Sequence, residues 1–148
     1  MTALDQSELR IRVVHDHDGE CSVTAVMKSG PFCGSGRAWL DIADVSQFAL
    51  SVRQMAETSL GQATLRGGYI NPDGSPNPTV DLRFSPHGRR GHILLIGELA
   101  SDPAAVHVHQ MSGAIIVEPA ALERFASQLS NIPKGAEIEA VLLGADAA

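Results

Sequence analysis

The sequence is short of aromatic side chains and of cysteine: among 148 residues there are one Trp, one Tyr, four Phe and two Cys, and aromatics make up 4%. So few rings leave little stacking surface for single-stranded nucleic acid, and a net charge of -6 repels a polyanion. Nucleic acid is not an expected partner. No apolar run approaches the roughly 18 residues of a membrane span, and Met1 to Arg10 has neither the basic nor the apolar part of a signal peptide. The expectation is a cytoplasmic protein with no membrane partner. Cys21 and Cys33 lie outside any Cys-x-x-Cys or zinc-knuckle spacing, so both are expected to be reduced and packed in the core. No Gly-x-Ser-x-Gly elbow, Ser-His-Asp order or cofactor fingerprint occurs, so neither catalytic residues nor a cofactor are indicated.

What is present suits one globular domain. The apolar fraction is 44% and the charged fraction 19%, without low-complexity tracts. A chain of this length buries roughly two thirds of its unfolded surface, enough for a single core spanning 1–148.

The strongest internal signal is a repeat. Sliding the sequence by 77 residues lays 35–68 on 112–145 without a gap, with eight of 34 pairs identical. Ser35-Gly36 falls on Ser112-Gly113, Phe48-Ala49 on Phe125-Ala126, Leu65 on Leu142 and Gly67 on Gly144. The helical apolar spacing of Val45, Phe48, Ala49, Val52 and Met55 matches Leu122, Phe125, Ala126, Leu129 and Ile132 position for position.

Around these anchors the chain reads as β-β-β-α-β twice. Leu9, Ile11 and Val13, then Cys21, Val23, Ala25 and Met27, alternate with period two and predict a hairpin across His15-Asp16-His17-Asp18-Gly19. Ser29 to Gly36 reads as a loop, Ala38 to Asp41 as a short strand, and Asp44 as the N-cap of a helix running to about Ser59. Gln62 to Ile70 is a strand with a bulge at Gly67-Gly68, and Asn71-Pro72-Asp73-Gly74 with Pro76 and Pro78 a turn joining the halves. In the second half Val80 to Phe84, His92 to Leu99 and Val106 to Val117 read as strands. Pro119 opens a helix ended by Pro133-Lys134-Gly135, and Ala136 to Leu143 closes the sheet before a frayed Asp146 to Ala148. The expected fold is α+β: two tandem units, about 8–70 and 79–145, related by an internal pseudo-two-fold, with mainly antiparallel strands and two helices packed on sheet. One curved sheet and two packed sheets both remain compatible with this pattern.

Two His-x-His pairs, His15/His17 and His107/His109, have a spacing that on a strand puts both rings on one face, as a metal site needs. Against it, the first pair sits in a predicted turn and no further ligand follows the second; a solvated strand or loop is the simpler reading. Gly34-Ser35-Gly36 lacks the Gly-Lys-Ser/Thr of a phosphate loop and reads as a turn leading into a strand. His87, Arg89 and Arg90 concentrate positive charge in a predicted hairpin tip suited to a carboxylate, a phosphate or an acidic partner patch. Trp39 and Tyr69 flank repeat elements, where core packing is the first expectation and an interface anchor the second.

Several phrases together carry a resemblance: Phe32-x-Gly34-x-Gly36-x-x-Trp39, Phe48-Ala49, Leu65-Arg66-Gly67-Gly68-Tyr69, Arg83-Phe84-Ser85-Pro86-x-Gly88-x-x-Gly91 and Leu122-Glu123-Arg124-Phe125-Ala126. Over about 30–144 they resemble the bacterial WapI-type immunity proteins and related small families of unknown function. The resemblance implies a cytoplasmic, non-enzymatic protein that binds and neutralises a bacterial toxin domain; it supplies no site residues. The other readings are a structural or regulatory homo-oligomer, such as a homodimer joined by exposed strand edges, and a metal-dependent small-molecule enzyme using the His-x-His pairs.

Overall fold

The computed structural model describes residues 6–147, and its first strand shows how the rest is built. In β1 (Gln6–His15) Leu9, Ile11, Val13 and His15 point inward, while Arg10 and Arg12 point to solvent. The same period-two division runs through β2 (Glu20–Ser29) and β3 (Phe32–Asp41). After α1 (Ile42–Thr58) come β4 (Ala63–Ile70), β5 (Pro76–His87), β6 (His92–Ala100), β7 (Gln110–Val117), α2 (Pro119–Leu129) and β8 (Glu137–Asp146). The fold is α+β: all eight strands form one antiparallel sheet in the order β3-β2-β1-β8-β7-β6-β5-β4.

That single sheet is curved. β8 pairs with β1 from Gln6↔Ala145 to Val14↔Glu137, but with β7 only at Ile115↔Asp146 and Ile116↔Ala145. Across this narrow seam the two halves turn toward each other, bringing the edges β3 and β4 into proximity. A Cβ added to Gly67 of β4 would lie 2.9 Å from Ala38 Cβ and 2.8 Å from Leu40 Cδ2 of β3. Thr79 of β5 donates its hydroxyl to the Arg37 carbonyl of β3 (2.5 Å). A Cβ at Gly36 would collide with the Thr79 carbonyl oxygen, so only glycine permits this approach.

α1 buries the whole face expected from its spacing, whereas α2 ends at Leu129, short of the expected stop at Pro133, so Ile132 is buried just beyond the helix and not on it. α1 sinks Val45, Phe48, Ala49, Val52 and Met55, and α2 sinks Leu122, Phe125, Ala126 and Leu129. Phe84 of β5 sits between them, its ring centroid 5.7 Å from Phe48 and 6.3 Å from Phe125. Burial of each such ring contributes about 1.5–3 kcal/mol, so docking on sheet holds helices of this length. The Arg53 guanidinium donates to Ser127 Oγ (3.1 Å) and ties the helices together at their exposed rim.

Several sequence expectations are corrected. The Ser29 to Gly36 loop is a tight turn at Gly30-Pro31, since Ser29 pairs with Phe32 and Gly34, Ser35 and Gly36 belong to β3. Gly30 takes φ +57, which suits glycine in the first central position of a hairpin turn. Asp41, not Asp44, is the N-cap of α1; its side chain makes no cap hydrogen bond, and Asp44 lies in the first turn, where the helix dipole favours a carboxylate. β5 begins at Pro76, because both prolines lie where β5 outruns β6 and need no N–H for its ladder. The Gly67-Gly68 bulge is present, and the register jumps from Gly67↔Val80 to Gly68↔Pro78 with Thr79 as the extra residue. β7 begins at Gln110 instead of Val106. β8 extends to Asp146, which pairs with Ile115 instead of fraying; Ala148 lies outside the described residues.

Candidate functional site

The outer face of β3 carries the most distinctive surface. With Gly34, Gly36 and Ala38 turned inward, the pleat turns Ser35, Arg37, Trp39 and Asp41 outward. Trp39 is 54% exposed, and across the opening to β4 Tyr69 is 46% exposed. The single Trp and the single Tyr thus share one cleft of about 170 Å3, lined by Arg37, Ala38, Trp39, Gly68 and Tyr69. This corrects the expectation of core packing for both rings. Parity held the missed signal: Trp39 shares its strand face with Ser35 and Arg37, which a core strand would not turn inward together.

Arg37 is fixed in place. Its Nε donates to Ser22 Oγ (2.9 Å), and its guanidinium carbon lies 5.1 Å from the centre of the Trp39 ring, a cation–π arrangement. Further along the same row, Trp39 borders a second hollow of about 200 Å3 with Glu20, Leu40, Asp41 and Asp44. Glu20 is the direct cross-strand partner of Asp41. Below them Cys21 is buried and its thiol donates to the Leu40 carbonyl (3.3 Å). Burial, then the charges of Asp41, Asp44 and Asp16, push the Cys21 thiol up to about 11. Cys33, by contrast, is exposed, which corrects its expected place in the core.

The acidic groups here differ from those on the rest of the sheet. Glu8, Glu137, Glu139, Asp81 and Glu98 all face arginines: Arg10 meets Glu8 (3.3 Å) and Glu139 (2.7 Å), Arg12 meets Glu137, and Arg66 and Arg83 meet Asp81 (3.6 and 3.7 Å). Glu20, Asp41 and Asp44 have no such partner among the described residues.

The other candidate residues are scattered. His15 is the last residue of β1, not part of the turn; it is buried, with Nδ1 2.9 Å from the Ile132 carbonyl oxygen and Nε2 without a partner among the described residues. His17 lies in the turn itself, exposed. His107 and His109 are on the loop between β6 and β7, not on a strand, because the β6–β7 ladder starts at Ala100↔Gln110. Their rings meet edge-on at 4.8 Å. No group of three His, Cys, Asp or Glu side chains able to hold a metal occurs among the described residues. His87, Arg89 and Arg90 stand exposed at the β5–β6 hairpin. Tyr69 is opposite Asn77, ten residues along β5 from His87, roughly 33 Å of strand. The basic tip and the aromatic cleft are therefore separate surfaces.

No helix among the described residues is long and apolar enough to cross a membrane. Comparison with known proteins finds no matching family model, no matching curated protein and no matching solved structure.

Proposed function

We propose that this chain is a non-enzymatic protein-binding module of the bacterial cytoplasm, an immunity-type protein that holds a toxin domain inactive. One observation carries the reading: Trp39 and Tyr69 stand exposed side by side where the sheet edges approach without pairing. Large amphipathic rings on a surface are the side chains that anchor protein interfaces.

In this proposal the fold is a tandem duplication, units of about 8–70 and 79–145 related by a pseudo-two-fold. Gly67 packs against Ala38 and Leu40, and 77 residues on Gly144 packs against Ile115 and Val117. The β7–β8 seam is laddered at Ile115↔Asp146 and Ile116↔Ala145. The corresponding positions of the first unit are Ala38 with Tyr69 and Trp39 with Gly68, four of the five residues lining the cleft. On this reading the binding site is the seam that one unit closed and the other left open. An experimental structure in which 35–68 fails to superpose on 112–145 would refute it.

The function is tested in the native bacterium. The tagged chain is expected to retain one stoichiometric partner, whose toxicity is suppressed when the two are co-expressed. W39A and Y69A should lose both retention and protection while keeping the wild-type melting temperature within a few degrees. Protection that survives both substitutions would overturn the proposed surface, and a chain that retains only itself would overturn the function. The two unladdered edges also favour a second reading, a homo-oligomer joined edge to edge. Sedimentation at increasing concentration separates the two.

A further inference from the structure

We infer that the partner presents a basic, extended segment to the open β3–β4 seam, with a guanidinium or ammonium group lying against Trp39 beside Glu20, Asp41 and Asp44. This inference rests on the protein-binding reading and specifies the chemistry of what is bound.

Along the outer face of β3, Arg37, Trp39 and Asp41 follow one another at two-residue spacing, so Arg37 flanks the indole on one side and Asp41 on the other. The Arg37 side is already occupied by a cation held by Ser22. The opposite side opens into the hollow bounded by Glu20, Leu40, Asp41 and Asp44. Its three carboxylates have no ion-pair partner among the described residues, whereas Glu8, Glu137, Glu139, Asp81 and Glu98 in the cross-strand rows of β1, β8, β5 and β6 each have an arginine. Among the described residues they do not converge as a metal cage. An aromatic wall with carboxylates at its rim is the recognition chemistry of a cationic side chain.

The edge supplies the second half of the site. β3 is laddered only to β2, but Thr79 on the Arg37 carbonyl and Gly67 against Ala38 and Leu40 cover its outer side, so a guest engages the seam through side chains and not by adding a strand. The cleft beyond, about 170 Å3, has room for one large side chain between Trp39 and Tyr69, not for a whole strand between β3 and β4. The guest therefore lies along the seam and inserts side chains. The net charge of -6 draws a basic partner and repels an acidic or phosphorylated one.

Trp39 is the only indole in the chain, so its fluorescence reports on this site alone. Two measurements test the inference on the whole protein. Caesium should quench Trp39 at least two-fold more effectively than iodide, and E20Q/D41N/D44N should abolish the preference. The capped peptide Arg-Val-Arg-Val-Arg-Val should shift the emission saturably, the triple variant should weaken it at least ten-fold, and Glu-Val-Glu-Val-Glu-Val should leave it unchanged. Circular dichroism checks that the triple variant is folded; E20Q alone, outside the helix start, should still weaken the basic peptide.

Iodide quenching better than caesium would overturn the inference, as would equal binding of the basic peptide by wild type and both variants. Self-association lost in R89A/R90A would overturn it too, assigning the hollow to a second copy's hairpin. Failure here and failure of the function are distinguishable. A toxin retained undiminished by E20Q/D41N/D44N leaves the immunity reading standing without this seat, whereas peptide binding without any cellular partner does the reverse.

Discussion

Gly36 and Thr79 meet where the rolled sheet is tightest. G36A must displace β3 from the β5 backbone, and about 1–3 kcal/mol of destabilisation is expected in urea unfolding, against under ~0.5 kcal/mol for the exposed neighbour S35A. T79V removes the hydroxyl that clasps Arg37 and should cost about 0.5–1.5 kcal/mol. It should also red-shift Trp39 emission as the seam loosens. The two cysteines separate by environment. At pH 8 a thiol reagent is expected to modify Cys33 quickly and Cys21 only on unfolding, with C33S abolishing the fast phase. Because burial raises the folded-state value of Cys21 to about 11, above the ordinary thiol value of about 8.5, the folded state holds the proton more tightly through that window. The stability it contributes is full below about pH 8.5 and falls as pH rises toward 11. Urea midpoints between pH 8 and 11 should fall more steeply for wild type than for C21A.

At the scale of elements, Phe84 is the joint of the molecule, a strand residue wedged between one ring from each helix. F84A is expected to cost about 3–5 kcal/mol, with the loss seen equally by circular dichroism and Trp39 fluorescence if the helices and sheet unfold as one unit. Most elements are legible in the sequence itself, because alternation in β1 and β2, the nearly continuous apolar run of β6 and the helical spacing of Val45 to Met55 are local consequences of burial. What is not legible there depends on distant partners. Pro31, Gly34 and Gly36 suggest a loop, yet two of the three are strand residues kept small by Met111 and Thr79 from other strands. Val106 and Val108 alternate like a strand, yet β6 ends at Ala100 and leaves them nothing to pair with. Of the candidate site, Trp39 and Tyr69 can be named from the sequence but not brought together; their meeting follows from the roll of the sheet. Asp41 and Asp44 are visible there only as a strand end and a helix cap, and Glu20 carries no signal of its own.

For the whole molecule, the sheet order makes β8 the keystone, the last described strand placed between β1 and β7. Pairing of Gln6 with Ala145 spans nearly the entire described chain, so folding is expected to be slow for this size, in the range of milliseconds to seconds by stopped-flow Trp39 fluorescence. A chain ending before Glu137 should show no cooperative unfolding transition, since both β1 and β7 lose their shared neighbour. During vectorial synthesis this order imposes a wait. The hairpins β1–β2 and β5–β6 leave the ribosome with their apolar faces complete, but β1 stays open along one side until β8 has been translated. An unfinished chain is thus a template for any neighbouring nascent chain. Crowded polysomes, more than the finished protein, are where its aggregation should begin.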